Sequence, residues 1–357
     1  MIGIDNRSGF PAEVLSLPDL EAQEVPLLLV SSAWEQGPEG RWTPAEKQPP
    51  LCLADEYFSD DPASSSLRNE AQTATEKPRI DVIVNGSAYA PGGRPATMVP
   101  VELYVGTIAK QVRVYGDRFD AMLGPSLPER FEVMPVIYER AFGGIDTRYP
   151  NPAKHAVWRQ NPSGVGFRGA RSHSKEIRTE YPNLEPARGS LEGPPAGFGI
   201  ISRAWSPRLE LVGTYGAEWM KEQWPLLAKD FDIRHYQSAP SDQQVMSLHT
   251  GDLVRLLNFT RDGAWEFAMP PTALPVWLMT DRGRRQVAPR MDTVMIEPDR
   301  RQLTMVFRMN VSREAAGLRV REIVVGDVTP TYLRAKERGK IYLDFKKPAA
   351  SAGEFLE

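Results

Sequence analysis

Between residues 245 and 325 the sequence repeats one device, a short apolar run followed by a turn. Runs at 245–248, 253–259, 265–269, 276–279, 293–296, 303–309 and 320–325 are separated by His249-Thr250-Gly251-Asp252, Arg261-Asp262-Gly263, Asp281-Arg282-Gly283 and Glu297-Pro298-Asp299. Runs this short cannot build amphipathic helices, and their spacing predicts antiparallel strands in a meander. The expected fold is mainly β: antiparallel sheets, as a sandwich or meander, with long irregular loops and few short helices.

The first half extends this pattern. Residues 26–30, with Trp34 beyond, read as a strand, 37–40 as a turn, and 51–53 as the start of another strand. Residues 60–76 are polar and serine-rich, the composition of a loop or flexible excursion. The run at 80–84 ends in Asn85-Gly86, a strong turn dipeptide, and 89–95 is a second loop. Alternation at 101–105 and 111–115 predicts a hairpin with one wet face. Residues 131–138 form an apolar strand, in which Pro135 implies an edge or a bulge. Periodicity is lost from 146 to 198, a loop long enough to be functional. It carries Arg159, Arg168, Arg171, Arg178, His155 and His173, as a solvated surface or a binding surface. Residues 209–212 read as a short strand. The clearest helix is 217–224, closed by Pro225, with Trp219, Leu226 and Leu227 toward the core. The chain is expected to form a β-rich unit over 1–330, either single or as two lobes divided at 125/126, followed by a basic tail over 331–357.

Composition narrows the function. A net charge of −3 over 357 residues argues against a nucleic-acid surface. The lone Cys52 excludes an internal disulfide or a cysteine-built zinc site, and its Leu-Cys-Leu context predicts a buried thiol. No basic segment leads into a long apolar run near the N-terminus, and the run at 25–30 is too short to span a bilayer. A cytoplasmic protein without a membrane span is the expectation.

Nucleophile-elbow, P-loop and zinc-helix patterns are absent. His155, His173, His235 and His249 lack metal-ligand spacing, and Gly164-Val165-Gly166 is too short to cradle phosphate. No metal or cofactor is expected. Glu139, Glu185, Asp230, Asp232 and Asp242 remain as carboxylates in unusual contexts. Two of them would suffice for glycoside cleavage; alternatively each caps a turn or pairs with an arginine. The densest constellation is at 139–144, where a carboxylate, a guanidinium, an aromatic ring and two glycines share six residues.

Taken in order, several motifs resemble one family. They are Pro78-Arg79-Ile80-Asp81-Val82 with Asn85-Gly86, Tyr138-Glu139-Arg140-Ala141-Phe142-Gly143-Gly144, Asn161-Pro162-Ser163-Gly164-Val165-Gly166-Phe167, and Pro182-Asn183-Leu184-Glu185. Pro195-Ala196-Gly197-Phe198-Gly199, Trp205, Arg208, Gly213-Thr214-Tyr215, Trp219, Asp230-Phe231-Asp232 and Ala239-Pro240-Ser241-Asp242-Gln243 continue the series. Together they are similar to the domain of unknown function 2169 family, over roughly residues 27–308. The resemblance implies an adaptor or chaperone of bacterial type VI secretion, which helps load an effector toxin onto the valine-glycine repeat (VgrG) spike or its PAAR-type tip in a Gram-negative cytoplasm. It brings no catalytic residues. Gly216 stands where that family usually has an aspartate after Gly-Thr-Tyr.

The residues themselves fit a binding module. Glycine pairs permit close backbone approach, and Asn/Asp turns hold loops rigid. Phe142, Trp158, Phe167 and Phe198 either grip an apolar partner segment or pin loops to the core. The expected partner surface joins Glu139, Arg140, Phe142, Gly143 and Gly144 to Trp158, Asn161, Gly164, Gly166 and Phe167. Asn183, Glu185, Phe198 and the turns bearing Asp230, Asp232, Asp242 and Gln243 complete it. A carbohydrate-active enzyme using paired carboxylates and a structural spike component are the alternatives.

Overall fold

The strand Glu24–Gln36 shows how the apolar runs become a core: residues 27–33 are buried without a break, so both faces of this strand are covered. In the computed structural model, which describes residues 2–121, 124–169 and 180–340, it lies inside a seven-stranded sheet. Along that sheet run Ala12–Pro18, Glu24–Gln36, Gln302–Asn310, Arg290–Glu297, Ile80–Val84 and Gln244–Val245, with Trp42–Pro44 paired beside Glu24–Gln36. All neighbours are antiparallel except Arg290–Glu297 and Ile80–Val84, which run parallel. A five-stranded antiparallel sheet follows the order Leu184–Pro186, Ile108–Tyr115, Met98–Val105, Leu253–Leu257 and Ala264–Ala268. Alternate burial along Met98–Val105 gives this sheet the expected wet face. The protein is mainly β, with three α-helices among the described residues.

The chain forms two compact units that interleave in sequence and do not follow the 125/126 boundary. The larger comprises residues 10–273 and 290–311 and holds both sheets above. The smaller comprises the described residues 2–9, 274–289 and 312–340. It has a four-stranded sheet in the order Gly3–Asn6, Val320–Val325, Val276–Thr280 and Gly283–Val287. Helix Pro330–Glu337 packs Tyr332 and Leu333 against Met279 and Val324. The start of the expected tail is therefore structured, while 341–357 lie outside the described residues.

The meander expectation holds hairpin by hairpin and fails as one sheet. Leu253–Leu257/Ala264–Ala268, Val276–Thr280/Gly283–Val287 and Arg290–Glu297/Gln302–Asn310 are hairpins in three different sheets. Several local expectations are corrected. Residues 51–53 form no strand. Residues 209–212 are part of a 3-10 helix, Arg208–Val212, with Leu209 exposed. The 60–76 stretch contains the strand Leu67–Asn69 and buries Ser65, Ser66 and Leu67. The helix is found at Ala217–Glu222 but buries none of its residues. Its Trp219 stacks edge-on to Tyr215 at 4.8 Å and donates to the Leu226 carbonyl at 2.9 Å.

One strand carries a charge into the core. Ile80–Val84 is buried throughout, Asp81 included. An ionised carboxylate there requires a full set of donors. Lys77 Nζ, Gln237 Nε2 and the Ser238 and Ala239 N–H groups supply them at 2.7–3.1 Å.

Candidate functional site

The 132–144 segment breaks into three pieces. Val133–Pro135 is a short strand paired with Ser87–Tyr89, where Pro135 sits at an edge. Tyr138–Arg140 is one turn of 3-10 helix, and Phe142–Gly143 pairs parallel with Val165–Gly166. Tyr138 anchors the turn. Its buried ring stands edge-on to Trp205 at 5.7 Å, its hydroxyl donates to the Gly199 carbonyl, and burial pushes its phenol well above the ordinary range.

Glu139 and Arg140 point to different partners and form no pair with each other. Glu139 accepts from the Ser66 N–H at 2.6 Å, Ser66 Oγ at 2.8 Å and Ser65 Oγ at 3.1 Å. These bonds fasten Ser65 and Ser66 of the serine-rich stretch to the turn. Arg140 Nη1 donates to Asn183 Oδ1 at 3.1 Å and lies 3.4 Å from Asp117. Asn183 in turn donates to Asp117 and to the Tyr115 carbonyl.

The two loops are locked together by Asn161, which is fully buried. Its Nδ2 donates to the Tyr138 and Phe142 carbonyls at 2.8 and 3.1 Å, and its own carbonyl accepts from Gly144 at 2.8 Å. Contact this close excludes side chains. A Cβ on Gly143, at φ +153°, would sit 2.1 Å from the Asn161 carbonyl oxygen, and one on Gly164 would sit 2.4 Å from Asn161 Nδ2. Glycine is required at both positions by space, and at Gly143 by conformation as well. Gly166 meets Pro182 in the same way.

On this backbone three rings form a half-buried cluster. Phe142 stands edge-on to Trp158 at 5.3 Å and to Phe167 at 6.5 Å, and Trp158 lies 5.3 Å from Phe167. Immediately beside it, Ile145 and Val157 face each other across a two-residue antiparallel pair. They are 46% and 43% exposed. The Trp158 backbone N–H donates to the Gly144 carbonyl, joining the pair to the cluster. Next along the chain, Asp146 binds Arg148 at 2.8 Å and accepts from the Gly169 N–H. The Arg148 side chain, foremost, holds the Asp146 carboxyl down to about 2.

The other expected site residues are placed elsewhere. Phe198 is not an exposed aromatic: it is fully buried, edge-on to Phe259 at 5.2 Å. Gln243 is also fully buried and donates to the Val82 and Phe198 carbonyls, while Lys110 binds Gln243 and Asp242. Glu185 is held by Arg118, whose guanidinium lies 4.0 Å from the Tyr115 ring and 4.9 Å from the Tyr181 ring. Asp230 accepts from the Thr214 N–H and hydroxyl, which lower its pKa, and Asp232 caps the Ile233–Tyr236 turn and pairs with Arg234. The five carboxylates are thus committed to five separate sets of donors. Arg168 pairs with Asp120, and the Arg159 carbonyl accepts from the Ser206 N–H. Arg171, His173 and Arg178 lie outside the described residues.

A small cavity lies near the buried Asp81, lined in part by Glu70, Lys77, Arg203, Arg208 and Arg308. Its charges are paired within the fold: Arg208 binds Glu70 at 2.8 Å and Arg308 binds Asp292 at 2.5 Å. Glu70 is the sole carboxylate of its lining, so no acid pair converges there. Sequence reasoning missed Ser65, Ser66, Ile145 and Val157. For the last two a signal exists, since each is an apolar residue flanking a motif residue, Gly144 and Trp158.

Fold and site together define a β-rich protein whose irregular loops are fastened by buried polar groups and present apolar side chains on a stiff backbone. The chain belongs to the family described as an uncharacterized protein conserved in bacteria, domain of unknown function 2169, whose model matches residues 21–308. No curated protein and no solved structure matches it. Among the described residues, no helix is long and apolar enough to cross a membrane.

Proposed function

We propose that this protein is a type VI secretion adaptor that binds an apolar segment of an effector toxin and carries it to the VgrG spike or its PAAR tip. Binding takes place in the cytoplasm, and no covalent bond is made or broken. The observation that carries this reading is the pair Ile145 and Val157, exposed side by side against the Phe142, Trp158 and Phe167 rings on loops locked by Asn161. Apolar side chains held out on a rigid backbone meet a partner with little ordering cost. The commitment of Glu139, Glu185, Asp230, Asp232 and Asp242 to structural donors favours binding over acid–base chemistry.

The test is affinity capture of a type VI effector toxin co-expressed with this protein, using wild type and an Ile145→Asp/Val157→Asp variant. Both positions are exposed, so the variant is expected to melt like wild type and to lose the toxin. A variant that folds and retains the toxin in full would overturn the assignment of this surface.

A further inference from the structure

The described residues of the smaller unit carry eleven Lys and Arg against six Asp and Glu, although the chain as a whole is net −3. Part of this excess gathers at one end of its sheet. The Arg319 carbonyl accepts from the Asp281 N–H at 3.1 Å, and Arg321 Nη2 donates to the Thr280 carbonyl at 2.8 Å. Arg282, Arg319 and Arg321 therefore meet at the turn between Val276–Thr280 and Gly283–Val287, with Arg285 just beyond it on the edge strand. All four are exposed. The neighbouring Arg284 is different, being paired with Glu337 at 3.0 Å and lying over the Trp277 ring. Among the described residues, Arg282, Arg285 and Arg319 hold no ion pair, and Asp281 is the only carboxylate of the turn.

Arg282 and Arg285 border an open backbone, whereas Arg319 and Arg321 stand on the far side of Val276–Thr280 from it. Among the described residues, Gly283–Val287 ends the sheet and pairs with Val276–Thr280 on one side only. In an antiparallel pair, alternate residues turn their N–H and C=O groups away from the partner, so this edge offers half its backbone to another strand. Charge on an edge discourages pairing between copies. Charge of a single sign does more: it repels a second copy of the same edge and complements an acidic one.

We infer that this edge binds an extended acidic polypeptide segment, added to the four-stranded sheet as a further strand, with its carboxylates on Arg282 and Arg285. Backbone pairing supplies affinity and the arginines supply selection. The open edge favours a polypeptide over a nucleic acid, whose backbone cannot continue the ladder. This surface lies in the smaller unit and does not depend on the effector reading above.

The test is fluorescence anisotropy with the full-length protein and four labelled probes. These are an alternating Glu/Val peptide, its Lys/Val counterpart, the Glu/Val peptide N-methylated at alternate residues, and an oligo-dT strand. The Glu/Val peptide is expected to bind, and methylation of its pairing edge to weaken it by about tenfold or more. An Arg282→Glu/Arg285→Glu variant is expected to lose the acidic peptide to a similar degree and to gain the Lys/Val peptide. Methylation alters only the probe, so its result stands whatever the variant's stability. Absence of acidic-peptide binding, equal binding of the methylated peptide, or oligo-dT binding as tightly as the peptide would each overturn the inference. The last result would assign the arginines to phosphate.

Discussion

Replacing Glu139 by alanine removes three hydrogen bonds to an ionised acceptor at once: those from the Ser66 N–H, Ser66 Oγ and Ser65 Oγ. Bonds to a charged group contribute about 1.5–3 kcal/mol each, and orphaned hydroxyls can rotate toward water, so the three are less than additive. The buried Ser66 N–H cannot rotate. A net loss of about 3 kcal/mol follows. For a protein of this size that lowers the melting midpoint by about 4 °C. Chemical denaturation of Glu139→Ala, Ser66→Ala and the double variant forms a cycle that isolates the pair. The expected coupling is about 1 kcal/mol or more, because Glu139 and Ser66 share one network. A Glu139→Ala protein as stable as wild type, or two losses that simply add, would refute the structural role assigned to this carboxylate.

Three further outcomes are expected. Gly143→Ala drives a Cβ into the Asn161 carbonyl and breaks the Gly144 contact, so it should cost about 3 kcal/mol or more and speed hydrogen exchange at the Gly144 and Phe167 amides, with unchanged exchange counting against the lock. Burial, helped by Glu56 and Asp55, pushes the Cys52 thiol up to about 12, so it should resist Ellman's reagent at neutral pH until the protein unfolds, and rapid labelling of the native protein would contradict this. Asp146 titrates at about 2 when folded, below its unfolded value. Its stabilising contribution is therefore complete above pH ~4 and is lost as pH falls through about 2, so the stability gap between wild type and Asp146→Asn should narrow over that interval.

Elements with a clear period were legible in the sequence. The 98–115 hairpin follows from alternation, and the 80–84 strand and the three C-terminal hairpins from apolar runs bounded by turn residues. Their distribution among sheets depends on long-range pairing, such as Gln302–Asn310 against Glu24–Gln36, which no local pattern records. The 209–212 run has a strand's composition but folds as a 3-10 turn with Leu209 exposed. Ser66 in the serine-rich 60–76 stretch is held by a carboxylate 73 residues away, a partner its own composition cannot reveal. At the site, the glycines were legible as demands for close backbone approach, and Asn161 only as a turn residue; its burial and its bonds to the Tyr138 and Phe142 carbonyls depend on a loop 19–23 residues away. Phe198 was misplaced because an aromatic next to glycines looks the same whether it faces solvent or, as here, Phe259.

The account turns on whether another polypeptide lies against the Ile145–Val157 surface. A photo-crosslinking amino acid at position 157, compared with one at the exposed Leu253 of the five-stranded sheet, tests this in cells that also make a candidate type VI effector toxin. The account predicts a covalent adduct with the toxin from position 157 and none from position 253. No toxin adduct from 157, or equal adducts from both positions, would contradict it.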